Sequence, residues 1–123
     1  VKRDMGLVRD ILLYAAEKPN TLVSDELTFG NHSRELVKYH IKILVQAGLL
    51  DGEDSWMTDP IHSHRCGIGN LTWLGNEFVD SAKDSSIWNI AMEKIGKPAV
   101  SYSFSIIFEW LKAEANRRLF PTP

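Results

Sequence analysis

Between Ser33 and Gly48 the sequence marks out a helix with both ends signed, and the rest of the chain has to pack around it. Val37, Ile41, Leu44 and Val45 recur at the spacing that lines one face of a helix. Ser33 stands before the first turn, where its hydroxyl can accept from an otherwise orphaned amide. Gly48 stands just past the last turn, the place of a left-handed residue that ends a helix. With the apolar stripe turned inward, the outward set is Arg34, Glu35, Lys38, Tyr39 and Lys42.

The same reading organises the flanks. Leu7, Val8, Ile11, Leu12 and Ala15 predict a helix over 4–18, capped by Asp4 and stopped by Pro19. Residues 20–32 mix turn formers with Leu22-Val23 and Leu27-Thr28-Phe29, which predict short strands; a helical turn at Ser24–Leu27 is the alternative. Leu49-Leu50 start an extended segment, followed by a long polar loop over 51–70. Leu71 to Leu74 read as a returning strand or as the lead into a helix over 73–82. In that helix Thr72 is the cap and Phe78, Val79 and Ala82 point inward. Asp84 or Ser85 caps a helix carrying Ile87, Trp88, Ala91, Met92 and Ile95, ended by Gly96 and Pro98. Ser101 or Ser103 opens the last helix, with Phe104, Ile107, Phe108, Leu111 and Ala115 on one face. Arg117 and Arg118 fall in its last turn, where they suit the helix dipole.

Composition bounds the class. The 123 residues make one domain's worth of chain, and 44% hydrophobic with 24% charged excludes a disordered chain or a disulfide scaffold. The single cysteine, Cys66, has no internal partner, so a reducing, cytoplasmic compartment is expected. No apolar run approaches the ~20 residues of a membrane span. The opening Val-Lys-Arg-Asp-Met leads into no long apolar stretch, so no signal peptide is expected, and a first residue of Val points to a removed initiator or to an engineered scar. Lys and Arg total 14 against 16 Asp and Glu, a net charge of −2. The charge is uneven: the 33–47 helix carries Arg34, Lys38 and Lys42 against Glu35, whereas 48–60 carries Asp51, Glu53, Asp54 and Asp59. A nucleic acid on the helix would have to avoid that acidic loop.

The order of helix, short strand or turn, capped helix, Ala47-Gly48-Leu49-Leu50, loop, Leu71-Thr72-Trp73-Leu74-Gly75 and helix resembles the winged helix-turn-helix of MarR-like and PadR-like regulators. A closer resemblance covers about residues 2–115. Lys2-Arg3-Asp4-Met5, Tyr39-His40-Ile41-Lys42, Ala47-Gly48-Leu49-Leu50, the 71–78 motif ending at Phe78, and Trp88 together look like a small family of phage and prophage proteins of unknown function. These resemblances imply an α+β, mainly helical fold: a winged helix over 1–82 and a two-helix extension over 83–123, in one compact unit. They imply a DNA-binding regulator of phage or prophage type. In it Arg34 meets a guanine edge, Lys38 and Lys42 meet phosphates, and Tyr39 stacks or donates to a phosphate. Arg65, with His62 and His64, would touch the backbone or minor groove from the wing. Extensions in such regulators make two-fold dimers, so Phe104, Ile107, Phe108 and Leu111 form the expected homodimer seam, or else pack back onto the first helix. The competing reading is a module that binds a host or phage protein; the acidic balance favours it, and the Arg34/Lys38/Lys42 face favours double-stranded DNA.

Other constellations point away from catalysis. His62, His64 and Cys66 alternate as zinc ligands could on one strand face, but no second ligand pair supports them, and a polar wing tip is the plainer reading. His40 lies within the apolar run and reads as a packed histidine satisfied by a backbone carbonyl. Cys66 lacks a base for a nucleophilic role beyond the flanking histidines, and Gly67-x-Gly69 is too short to cradle a phosphate. Neither an enzyme nor a cofactor is expected. Trp73, Trp88 and Trp110 fall on helical stretches and read as core; Trp56-Met57 read as a lid over the core or, if exposed, as a protein-docking spot.

Overall fold

The computed structural model is mainly helical and describes residues 3–18, 21–23, 29–51, 66–95 and 104–120. The described elements are α1 (Met5–Glu17), β1 (Thr21–Val23), α2 (Arg34–Gln46), β2 (Cys66–Ile68), α3 (Trp73–Ala82), α4 (Ser85–Lys94) and α5 (Phe104–Leu119). They fall into two units, residues 1–77 and 78–123.

In the first unit α1 packs on α2. Leu7, Val8, Ile11, Leu12 and Ala15 from α1 are buried, as are Val37, Ile41 and Leu44 from α2. Each buried Leu, Ile or Val side chain contributes about 1.5–3 kcal/mol of transfer free energy. The caps are those the sequence marks. The Asp4 carboxylate accepts from the Leu7 amide at 3.1 Å, and the Ser33 hydroxyl accepts from the Leu36 amide at 3.2 Å. Gly48 sits at φ 80°, the left-handed region that favours glycine.

The expected winged helix-turn-helix is overturned. It required Leu49-Leu50 and residues 71–74 to pair as the strands of a wing hairpin. Instead Leu50 and Leu71 meet at one isolated antiparallel bridge, and Trp73 and Leu74 already belong to α3. The ladder among the described residues is the three-residue antiparallel pair β1–β2, with Thr21 opposite Ile68 and Val23 opposite Cys66. No wing sheet is present among those residues, and the architecture is a helical one. β2 lies inside the stretch that the sequence reads as loop.

Thr72 explains why the bridge goes no further. Its amide donates to the Leu49 carbonyl at 3.1 Å, its hydroxyl donates to the Gly48 carbonyl, and that same oxygen accepts from the Gly75 amide at 3.1 Å. The last of these bonds caps α3, so the backbone turns into a helix where a strand would have continued. Gly75 lets this first turn pass over Leu49, because a Cβ there would collide with the Leu49 carbonyl oxygen. Gly69 does the same against the Asp51 carbonyl. The two motifs that resemble the ends of a wing are therefore the two halves of one polar joint.

In the second unit, Phe78 meets Phe104, Phe108 and Trp88, with ring centroids 4.9, 5.6 and 6.2 Å apart. Val79, Ala82, Ala91, Ile107 and Leu111 are buried as well. Asp84 caps α4, accepting from the amides of Ser86 and Ile87. Arg117 and Arg118 both grip Glu114, one turn back on α5.

Candidate nucleic-acid interface

Helix α2 carries the residues that the sequence singles out, and its packing fixes how they are displayed. At about 100° per residue, Arg34, Lys38 and Lys42 drift by about 40° per step around the axis. The stripe begins beside the buried edge and ends beside the exposed face without reaching it. Arg34, Lys38 and Lys42 are each partly covered, whereas Glu35, Tyr39 and Gln46 are exposed. The cations thus flank the outer face instead of filling it, and its middle is held by Glu35, Tyr39 and Gln46. Sequence reasoning passed over Gln46 because it sits beyond the charged run. Its place on the helical wheel, close to Lys42 and Tyr39, is the signal that could have found it. Among the described residues neither Lys38 nor Lys42 forms an ion pair with a carboxylate.

A buried histidine locks this helix in place. His40 is fully buried. Its Nδ1 bonds the Leu36 carbonyl at 2.9 Å, and its Nε2 accepts from the Asp4 amide at 2.9 Å. The two bonds together select the neutral ring protonated on Nδ1. Asp4 therefore caps α1 with its carboxylate and ties α1 to α2 with its amide. His32 closes the arrangement, its Nε2 3.6 Å from the other Asp4 carboxylate oxygen. The carbonyl partner follows the sequence reading; the Asp4 amide, 36 residues away, does not.

The family model described as a hypothetical protein, DUF2513, matches residues 2–101. The chain belongs to the DUF2513 family. It is also 29% identical over 110 residues to an uncharacterised protein of Haemophilus influenzae, covering 87% of this chain and 89% of that one. No solved structure matches it.

The other candidates of this DUF2513 protein are distributed differently. Arg65, His62, His64, Trp56 and Met57 lie outside the described residues, as do Leu27 and Thr28. The backbone of Cys66 lies in β2. Among the described residues no three His, Cys, Asp or Glu side chains converge as metal ligands, and no helix is long and apolar enough to cross a membrane. Phe104, Ile107, Phe108 and Leu111 do not form an exposed seam. The last three are buried, and Phe104 stacks with Phe78 and Phe108 of the same chain. Trp88 is core, as its helical position predicts. Trp73 is the reverse: at the start of α3 it is 83% exposed, with Leu74 beside it at 42%. Helical periodicity starts too late to assign a first-turn residue to a face. A shallow cleft of about 180 Å³ lined by Ala15, Ala16, Asn70, Leu71 and Asn76 carries no ionisable side chain, and it falls below the ~300 Å³ of a typical small-molecule site.

Proposed function

We propose that this DUF2513 chain binds double-stranded DNA through the outer surface of α2, as a binding protein and not an enzyme. Lys38 and Lys42 neutralise phosphates from one flank. Arg34 sits nearest the helix start and approaches a guanine edge, while Tyr39 and Gln46 face the groove; glutamine pairs with adenine and arginine with guanine in direct readout. The observation that carries the reading is the Lys38/Lys42 pair, one turn apart on a capped helix and without a carboxylate partner among the described residues. A cytoplasmic regulator of phage or prophage type is the role this reading extends to, on the sequence resemblance alone. The net charge of −2 favours the competing reading, a protein partner.

Titration of labelled random duplex at several salt concentrations, read by anisotropy, tests the proposal. Wild-type binding should weaken steeply as salt rises. Lys38→Ala with Lys42→Ala should weaken binding alike for all sequences and reduce the salt slope by about 2. An unchanged slope removes α2 from the interface, and absence of binding at low salt favours the protein partner.

A further inference from the structure

We propose that the chain associates with a second copy of itself, the end of α5 of one copy lying antiparallel on the start of α3 of the other. The inference stands apart from the DNA reading of α2. Among the described residues two neighbouring pairs of large apolar side chains stand in water: Trp73-Leu74, at 83% and 42% exposed, and Leu119-Phe120, at 73% and 72%. Single exposed apolar residues are ordinary, whereas clustered ones mark interaction sites. Both pairs stand on fixed backbone. Thr72, the residue before Trp73, is bonded to the carbonyls of Gly48 and Leu49 and caps α3 through the Gly75 amide. The Phe120 amide donates to the Asn116 carbonyl at 2.8 Å, which keeps Phe120 on the last turn of α5. An exposed aromatic on a fixed stem loses little conformational freedom when a partner covers it.

The two patches carry opposite charge. On α3, Glu77 and Asp80 follow Trp73 at i+4 and i+7, exposed and on the same face of the helix. Lys83 approaches Asp80 at 3.9 Å and offsets one of the two acids, so the stripe stays acidic. On α5, Arg117 precedes Phe120 by three residues and Arg118 by two; Glu114 holds both guanidiniums and offsets one, so this end stays basic. Trp73 to Glu77 spans about 6 Å of helix axis, and Phe120 to Arg117 about 4.5 Å. The acid lies C-terminal to its ring and the base N-terminal to its own. An antiparallel arrangement therefore sets ring on ring and carboxylate on guanidinium together. The exposed residue one turn further back on α5 is Ala113, too small to hold the two helices apart. Aromatic side chains and Arg are the residues that anchor protein interfaces. Two or three turns of helix on each side bury less than the ~1,200 Å² of a stable complex, so one such contact is weak. Each copy carries both halves, so the contacts either close on each other as a two-fold pair or run on from copy to copy.

Sedimentation equilibrium tests the inference without DNA. From about 10 μM to about 1 mM, the range of a weak contact, the mass should rise above the 13.9 kDa of one chain. Trp73→Ala and Phe120→Ala should each raise the dissociation constant by about 30-fold or more, the effect of truncating an anchoring aromatic. Their thermal melts should match wild type, because both rings lie in water. Glu77→Arg and Arg117→Glu should each sediment as single chains. Mixed in equal amounts they should associate again, because one contact then carries the reversed ion pair and the other the native one. A single-chain mass for wild type at every concentration overturns the inference and leaves both patches to a foreign protein. Association that survives Trp73→Ala and Phe120→Ala, or a mixture that stays dissociated, overturns it as well. None of these outcomes bears on the α2 reading.

Discussion

In residues 78–123 four aromatic rings carry the packing, with Phe78 in contact with Trp88, Phe104 and Phe108. In residues 1–77 the apolar core is mainly aliphatic, with Phe29 buried edge-on against Tyr14, and the contacts that set its geometry are directional: His40 between Leu36 and Asp4, and Thr72 between Gly48, Leu49 and Gly75. Ring contacts of this kind are broad, and such cores accept substitutions that keep volume. A hydrogen bond to one buried amide accepts a single arrangement, and removing one partner leaves the other desolvated. The unit carrying the candidate interface is thus the one whose helix position is fixed by polar contacts. A surface that must meet fixed phosphates and base edges requires that of its support.

The contrast can be broken most forcefully at Phe78. It is completely buried and touches the rings of Trp88, Phe104 and Phe108. Phe78→Ala should destabilise by about 4 kcal/mol in urea unfolding, as expected for a large buried aromatic. Phe78→Leu should recover most of that loss. A leucine variant as unstable as the alanine variant would mean that ring geometry, not volume, governs this unit.

His40 supplies the opposite expectation. His40→Phe preserves an aromatic ring at a buried site but leaves the Asp4 amide without its acceptor. It should cost about 2 kcal/mol. Phe108→Leu, the volume-keeping swap in the other unit, should cost less than about 1.5 kcal/mol. If His40→Phe proves the milder of the two, the polar clamp is not what fixes α2.

How much of this was legible follows from the range of the forces involved. Helix periods and caps are local, and the sequence marks α1, α2 and α4 by Asp4, Ser33, Gly48 and Asp84, each acting within a few residues. Val37, Ile41 and Leu44 fall inward for the same reason. The wing reading failed because Gly48-Leu49-Leu50 and Leu71-Thr72-x-x-Gly75 carry the signature of two chain segments meeting, and that signature does not say how they meet. Thr72 as the cap of a helix over 73–82 is one of the two local readings and is what the structure has, whereas its bond across 24 residues to the Gly48 carbonyl is a contact that no local pattern encodes. The candidate site was half legible. The Arg34, Lys38 and Lys42 stripe is a matter of spacing, whereas its partial burial depends on tertiary packing. Trp73 was misassigned to the core because composition favours burial of tryptophan and its position in the first turn gives no phase.

Asp84 gives the smallest effect, and it sharpens the contrast from the aromatic side, where a directional polar contact survives at the N-terminus of α4. Its carboxylate accepts from the Ser86 hydroxyl at 2.6 Å and from the Ile87 amide at 3.1 Å. These two bonds, the first above all, hold its pKa below the ordinary aspartate value, with Arg118 adding a weaker attraction. The folded value lies below the unfolded one, so the cap's contribution is fully present above about pH 4 and is lost as pH falls through the lowered value. Asp84→Asn keeps an acceptor at the cap and removes the titration. Below about pH 4 the melting temperature of wild type should fall more steeply with pH than that of Asp84→Asn. Glu114, held low by Arg117 and Arg118, titrates in both proteins and cancels from the comparison. Parallel slopes would show that the cap acts as a hydrogen-bond acceptor alone and that its charge contributes nothing to the second unit.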